Sequence, residues 1–156
     1  MPARQPIVLD CNCWLDLLVF RDPCVEALRA LLERGEVIVA ICSGMRQELI
    51  QVLSRPWIHK RCDPDAVIQD YDRLSSMQTT PHSKAMSLAC SDPDDQVFLD
   101  LALEARASHL ISKDRQLLRL AKKSLAQYQL EILSQASPRF QHLCMTWHAS
   151  SVPKAP

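Results

Sequence analysis

Residues Ile7–Asn12, which read Ile-Val-Leu-Asp-Cys-Asn, give the first indication of the fold. The three apolar residues follow Pro6 and predict a short strand that is buried on both faces, as strands of parallel sheets are. Asp10 would then lie at the carboxyl end of this strand, where open α/β sheets bind their ligands. Asp10 could instead only cap a helix that begins near Cys11, because aspartate is a preferred N-cap residue. This stretch alone leaves both roles open.

Strand-like and helix-like segments alternate along the rest of the chain. Further strands are predicted at Val37–Ile41, His109–Ser112 and Leu130–Leu133, with an edge strand within 78–91. Asp-Pro pairs beginning at Asp22, Asp63 and Asp92 predict helix starts. The predicted helices cover residues 11–20, 23–34, 45–54 with Ser43 as its cap, 64–77, 93–105, 115–123 and a short closing helix from 138. This alternation indicates an α/β fold, in which helices cover both faces of a parallel sheet.

Length and composition fit one domain. The 156 residues are enough for a sizeable core, and we expect a single domain over 1–149 followed by a disordered tail over 150–156. Lys plus Arg and Asp plus Glu number 18 each, so the net charge indicates no nucleic-acid or membrane partner, although a local basic rim could still bind nucleic acid. We expect a cytoplasmic protein without membrane attachment, because the chain shows neither a signal peptide nor an apolar run of ~18 residues.

Several kinds of site are excluded or disfavoured by the residue types. Gly35 and Gly44 are the only glycines, so the chain cannot form a glycine-rich phosphate cradle of the P-loop or dinucleotide-binding type. The seven cysteines include no CxxC pair. We therefore expect reduced, buried thiols and no zinc centre.

Carboxylates recur where the predicted strands end and the predicted helices begin. Besides Asp10, the set comprises Glu48, Asp92, Asp94, Asp95 and Asp114. Strand carboxyl ends and the helix N-termini that follow them share one edge of a parallel sheet, so four segments can meet in one acidic pocket. Each acid also has a local explanation, as a helix cap, as a favourable charge in a first helical turn or as a solvated helix residue.

Clustered carboxylates point to a bound cation. Close carboxylates repel one another and raise each other's pKa unless a cation neutralises them. Oxygen ligands favour Mg²⁺ or Mn²⁺ over zinc. Such an ion can activate a water molecule and bind a phosphate oxygen, which suits the hydrolysis of a phosphodiester.

Three motifs, at 8–12, 43–53 and 92–118, resemble those of the PIN-domain nucleases, with the nearest similarity to VapC-like toxins of toxin–antitoxin systems. The third motif is the most specific, because it combines Asp-Pro-Asp-Asp from Asp92 with Asp-x-x-Leu-Leu from Asp114. The resemblance spans residues 7 to about 120. It implies a three-layer α/β/α sandwich around a mainly parallel sheet and a metal-dependent endoribonuclease that uses Mg²⁺ or Mn²⁺. It also implies an RNA substrate, a small antitoxin partner and a homodimer.

The resemblance also assigns roles to individual residues. The acids implied to be catalytic and metal-binding are Asp10, Glu48, Asp95 and Asp114. Asp95 is preferred to its neighbour because Ala102 lies seven residues further on, as after the family's third acid. The implied supporting residues are Asn12, Ser43, Asp94 and Ser112. At Ser112 the family usually has threonine, so the hydroxyl is kept.

Contacts with the RNA substrate are expected around Asp114. Residues 103–123 contain six basic and two acidic residues, and Lys113 and Arg115 flank Asp114 as the predicted RNA phosphate contacts. A solvated helix face is the alternative explanation for this charge. Two other functions stay open: a PIN-like module that binds RNA or protein without turnover, and another Mg²⁺-dependent phosphoryl enzyme such as a phosphatase.

Overall fold

The centre of the fold is a parallel sheet, in a computed structural model that describes residues 4–78 and 88–151. Its strands are β1 (Ile7–Leu9), β2 (Ala40–Ile41), β3 (Ser76–Met77), β4 (His109–Ile111) and β5 (Glu131–Leu133). β4 lies between β1 and β5, and β2 pairs with β3. A parallel bridge from Ile7 to Val39 joins the two parts, which gives the order β3-β2-β1-β4-β5.

This strand order places a ligand-binding edge beside β1. The chain passes from β1 to β2 and β3 on one side, and then to β4 and β5 on the other. The carboxyl ends of β1 and β4 therefore flank the switch point of the sheet, where open α/β sheets bind ligands. The register pairs Leu9 with Ile111, so the residues that follow, Asp10 and Ser112, become neighbours.

Helices pack on this sheet and complete the α/β sandwich that the sequence predicts. They are α1 (Cys11–Leu15), α2 (Glu26–Glu33), α3 (Ser43–Leu53), α4 (Pro56–His59), α5 (Pro64–Leu74), α6 (Gln96–Glu104), α7 (Arg115–Leu118), α8 (Ala121–Tyr128) and α9 (Pro138–Ser151). α6 packs on β1, β2 and β4, α8 packs on β5, and α2 packs against α9. β1 is buried along its whole length, as predicted for a central parallel strand. None of the helices in the described ranges is long and apolar enough to span a membrane.

Aspartate caps begin many of these helical segments, as the sequence predicts. In each case a carboxylate oxygen accepts a hydrogen bond from a backbone N–H two or three residues later, which satisfies a donor that the helix itself leaves free. These caps are Asp10, Asp22, Asp63, Asp92 and Asp114. The caps at Asp22 and Asp92 open 3₁₀ turns, Pro23–Val25 and Pro93–Asp95, before α2 and α6 begin.

Several predicted helix boundaries need correction. Ser43 does not cap α3 but is its first residue, and the capping position is Cys42, whose side chain makes no capping bond. The helix predicted to reach residue 77 ends at Leu74, because the Ser75 hydroxyl bonds the Tyr71 carbonyl at 2.6 Å and the chain turns extended into β3. This edge strand lies just before the predicted 78–91 interval, of which residues 79–87 fall outside the described part.

The three other corrections concern helix length. The predicted helix over 11–20 divides into α1 and a π-helical turn, Asp16–Phe20, while the one over 115–123 divides into α7 and α8. The closing helix is not short, since α9 has 14 residues and buries Phe140, Leu143 and Cys144 at helical spacing. It includes residues 150 and 151 of the predicted tail, and 152–156 lie outside the described part.

Candidate active site

An acidic cleft of about 180 Å³ opens at the carboxyl edge of the sheet. Four carboxylates from four separate segments line it: Asp10, Glu48, Asp95 and Asp114. The structure therefore brings together the four acids that the resemblance implies to be catalytic, whereas Asp92 and Asp94 lie outside the lining. It does so because β1 and β4 end side by side and α3 and α6 begin near the same edge.

Asp10 is held by the fold at both carboxylate oxygens. Oδ1 accepts a hydrogen bond from the Cys13 N–H at 2.7 Å, and Oδ2 accepts one from the Ser112 hydroxyl at 2.6 Å. The side chain is only 3% exposed. Burial raises its pKa above the ordinary value, while these two hydrogen bonds act in the opposite direction. Asp10 thus caps α1 and lines the cleft at once, so the two roles left open by the sequence are compatible.

Ser112 connects two of the acids. It is fully buried, and its hydroxyl donates to Asp10 and accepts the Asp114 N–H at 2.9 Å. Asp114 in turn caps α7, with Oδ1 accepting the Gln116 N–H at 2.7 Å. The predicted supporting residue therefore holds the carboxylate of Asp10 directly and fixes the backbone at Asp114.

Asp95 carries an unsatisfied oxygen. It ends the 3₁₀ turn before α6, and its Oδ2 atom is buried and meets no hydrogen-bond donor within the described ranges. Burial and the nearby charges of Asp114, Asp92 and Asp10 raise the pKa of Asp95 to about 6. A side-chain hydrogen bond with Asp114 acts in the same direction on the pKa of Asp95. Because this oxygen is buried among other carboxylates, a cation bound beside it would stabilise the ionised form of Asp95.

Glu48 is less buried than Asp10. It lies half-buried on α3, and burial together with the charges of Asp94 and Asp10 raises its pKa. Asp94 is exposed and lies outside the cleft lining, although it is near enough to act on Glu48. Asp95 therefore lines the cleft, whereas Asp94 lies outside it and acts on Glu48 through its charge.

The lining residues fit a hard divalent cation by their chemistry. All four carboxylates offer oxygen, the ligand type that Mg²⁺ and Mn²⁺ prefer, and Asp95 presents an oxygen without a donor. As the side chains stand, no group of three His, Cys, Asp or Glu residues within the described ranges is close enough to hold a metal ion. The fit to a divalent cation therefore rests on the oxygen ligands that line the cleft and on the unpaired oxygen of Asp95, and not on a formed coordination sphere.

The other predicted supporting residues divide between the cleft and its surroundings. Asn12 is exposed and lines the cleft. Ser43 is exposed at the start of α3 and lies outside the lining.

Lys113 and Arg115 are exposed and also lie outside the cleft lining. The Lys113 ammonium is 2.6 Å from Oδ2 of Asp16, a buried carboxylate in the π-helical turn. The same oxygen accepts a hydrogen bond from the Gln135 side chain at 2.5 Å. Lys113 therefore has a structural partner of its own, and its predicted contact with RNA phosphate stays a prediction, as does that of Arg115.

Two cleft residues escape the sequence-based prediction. Arg55 lines the cleft, and its positive charge lowers the pKa of Glu48 against the effect of burial. Trp57 lines the same cleft from α4. Helical spacing gave no signal for Arg55, because this residue lies beyond the end of α3 and immediately before α4.

Fold and cleft together define an α/β protein with a carboxylate-lined site at the switch point of its sheet. A family model described as the PIN domain matches residues 6–116, which is more than two thirds of the chain. The chain therefore belongs to the PIN-domain family, whose members are generally metal-dependent nucleases. No curated protein and no solved structure matches it in the corresponding comparisons.

Proposed function

We propose that this protein is a metal-dependent endoribonuclease that hydrolyses phosphodiester bonds of RNA with Mg²⁺ or Mn²⁺. The observation that carries the proposal is the convergence of four carboxylates in one cleft, with a buried oxygen of Asp95 that lacks a donor among the described residues. Membership of a family of nucleases supports the same reaction class.

Asp10, Asp95 and Asp114 would hold the ion, with Glu48 binding it directly or through a water molecule. A divalent cation held there would lower the pKa of a bound water and offset the charge that develops on the phosphate. The chain contributes the orientation of the ligands: Ser112 and the Cys13 N–H hold Asp10, and the cap of α7 holds Asp114. Positions held in this way before substrate arrives cost no reorganisation during the reaction.

Arg55 is the residue of the cleft lining best suited to bind the substrate phosphate. The four carboxylates repel a phosphodiester, so a positive side chain in the same cleft is needed to hold it beside the acids. A guanidinium can donate two parallel hydrogen bonds to phosphate oxygens. Arg55 would therefore hold the scissile phosphate, while Lys113 and Arg115 are proposed as contacts further along the RNA.

We further propose that the nuclease is the toxin of a type II toxin–antitoxin pair and acts in the cytoplasm. The support is the resemblance of its three motifs to VapC-like toxins. A small antitoxin would then bind near the acidic edge and block it, and the toxin would form a homodimer. A short DNA-binding reading frame next to the gene for this chain would support this role.

The test of the nuclease proposal is a cleavage assay on chelator-treated protein, with Mn²⁺ or Mg²⁺ added back. We expect endonucleolytic cleavage of RNA only after the metal is added. Asp10→Asn and Asp95→Asn should lose it while keeping the circular dichroism spectrum of the unmodified protein. Asp65→Asn, an exposed aspartate on α5 outside the cleft, is the matched control and should cleave normally.

Two outcomes would contradict this proposal. If the Asp10 and Asp95 variants cleave as well as the unmodified protein, the catalytic assignment is wrong. If the protein binds RNA equally with and without metal and never cleaves it, the chain is instead a catalytically silent RNA-binding module. Thermal unfolding gives an independent measure, because Mn²⁺ should raise the midpoint of the unmodified protein and not that of Asp95→Asn.

A further inference from the structure

Exposed aromatic side chains border the acidic cleft. Trp57 on α4 lines the cleft and is 55% exposed, and Phe20, at the end of the π-helical turn, is 36% exposed. Their rings are within 9° of parallel, with centroids 6.4 Å apart. The Arg61 guanidinium lies 5.8 Å from the centroid of the Phe20 ring. We call Trp57, Phe20 and Arg61 the aromatic rim.

The outward position of Trp57 follows from how α4 is anchored. This short helix begins at Pro56 and buries Ile58 completely, so the adjacent tryptophan faces away from the core. A large indole left in water forgoes the favourable burial that aromatic residues normally obtain. Its position beside four carboxylates therefore calls for an explanation that the fold alone does not supply.

We propose that Trp57 stacks on a nucleobase of single-stranded RNA, next to the phosphate that lies in the acidic cleft. The inference rests on the proposed nuclease function and adds a residue that positions its substrate. Every base presents an aromatic face, so an exposed indole binds bases with little sequence preference. In a double helix the neighbouring bases cover those faces, so this contact selects unpaired RNA.

The basic side chains and the cleft that Trp57 shares with the acids favour RNA over a protein partner at the aromatic rim. Arg55 lies in the same cleft as Trp57, and Arg61 lies against Phe20, so positive side chains accompany the aromatic rings. This combination of stacking side chains and basic residues is typical of single-strand binding sites. The indole also shares a cleft with the acids that would cleave the backbone, which places base and phosphate contacts side by side.

The experiment measures binding separately from cleavage. Fluorescence anisotropy with a labelled single-stranded RNA of about ten nucleotides is carried out in the Asp95→Asn background, where the bound RNA stays intact. Adding Trp57→Ala should weaken binding by about 5- to 150-fold, the range for loss of one stacked base. Trp57→Phe should retain most of the affinity. Met145→Ala, at a residue on α9 that is 71% exposed and outside the cleft, should leave it unchanged.

A second arm identifies the stacked base itself. A single abasic nucleotide is moved along the RNA, and one position should cost as much affinity as Trp57→Ala. At that position the losses of affinity caused by the abasic nucleotide and by Trp57→Ala should not add, because both remove the same contact. Double-stranded RNA of the same sequence should bind with no dependence on Trp57.

The proposal is overturned if Trp57→Ala binds single-stranded RNA as tightly as its parent. It is also overturned if Trp57→Ala changes the mass measured by light scattering while RNA affinity stays constant, since the rim would then be a protein contact. If no RNA is cleaved under any condition but the affinity still depends on Trp57, the nuclease proposal fails and the stacking site stands.

Discussion

Replacing Ser112 by alanine tests whether one buried hydroxyl supports two acids of the cleft. Ser112 is fully buried and Asp10 is 3% exposed, so solvent cannot replace the lost 2.6 Å hydrogen bond to the carboxylate. A hydrogen bond to a charged group contributes about 1.5–3 kcal/mol, and loss of the acceptor for the Asp114 N–H adds about 0.5–1.5 kcal/mol. We therefore expect Ser112→Ala to lower the free energy of unfolding by about 2–4.5 kcal/mol at neutral pH.

Ser124 provides a matched control at a second fully buried serine. Its hydroxyl donates only to neutral carbonyls, that of Leu130 at 2.8 Å and that of Ala121 at 3.1 Å. Ser124→Ala should therefore cost only about 0.5–1.5 kcal/mol, and its cost should not depend on pH. Ser112→Thr keeps the hydroxyl and should retain most of the stability.

The assay is urea unfolding of the metal-free proteins at several pH values. The Ser112 hydroxyl donates to the ionised form of Asp10, so its contribution should shrink as acid protonates that carboxylate. The cost of Ser112→Ala should thus fall at low pH towards that of Ser124→Ala. Equal costs for the two alanine variants at neutral pH, unchanged on acidification, would refute the reasoning.

Two further predictions concern charges at and behind the cleft. The pKa of Asp95 is raised in the folded protein, so its ionisation destabilises the metal-free fold as pH rises through about 6. In urea unfolding, Asp95→Asn should therefore be more stable than the unmodified protein at pH 8, by about 1–2 kcal/mol after allowance for solvent screening. The two proteins should not differ near pH 4. A difference in stability that stays constant with pH would contradict this assignment. Lys113→Met removes the partner of buried Asp16 and should cost about 1–2 kcal/mol, since the lysine side chain is 43% exposed. Adding Asp16→Leu should restore part of that loss, and an additive second loss would show that the pair is not coupled.

The local features of the fold are accessible from sequence because they depend on near neighbours. The Asp22 cap bonds a backbone N–H two residues away, and the Pro that follows it has a backbone already suited to a first helical turn. β1 is recognisable because three apolar residues in a row fit a strand buried on both faces. Helix ends are less accessible, as the end of α5 at Leu74 shows, since pairing of β3 with β2 competes there with helix extension.

All four lining acids are among the candidates that the sequence offers, and the resemblance to PIN-domain nucleases selects them, but the hydrogen bonds that hold Asp10 and the raised pKa of Asp95 come only from the fold. Parallel strands place their carboxyl ends at one edge, so Asp10 and Asp114 could be expected to meet from the pattern of strands alone. The bond from Ser112 to Asp10 joins residues 102 positions apart and exists because β1 and β4 pair in one register. The raised pKa of Asp95 likewise depends on burial and on charges from other segments.

The sequence by itself thus determined the alternation of strands and helices, the caps and the candidate acids, because each depends on residue type and short spacing. Only the tertiary structure decided that Lys113 pairs with Asp16, that Arg55 and Trp57 enter the cleft and that an oxygen of Asp95 is buried without a donor among the described residues. The physical reason is that burial and long-range pairing are properties of the packed chain. Residues far apart in sequence become buried and paired only when the sheet and its helices pack together around the cleft.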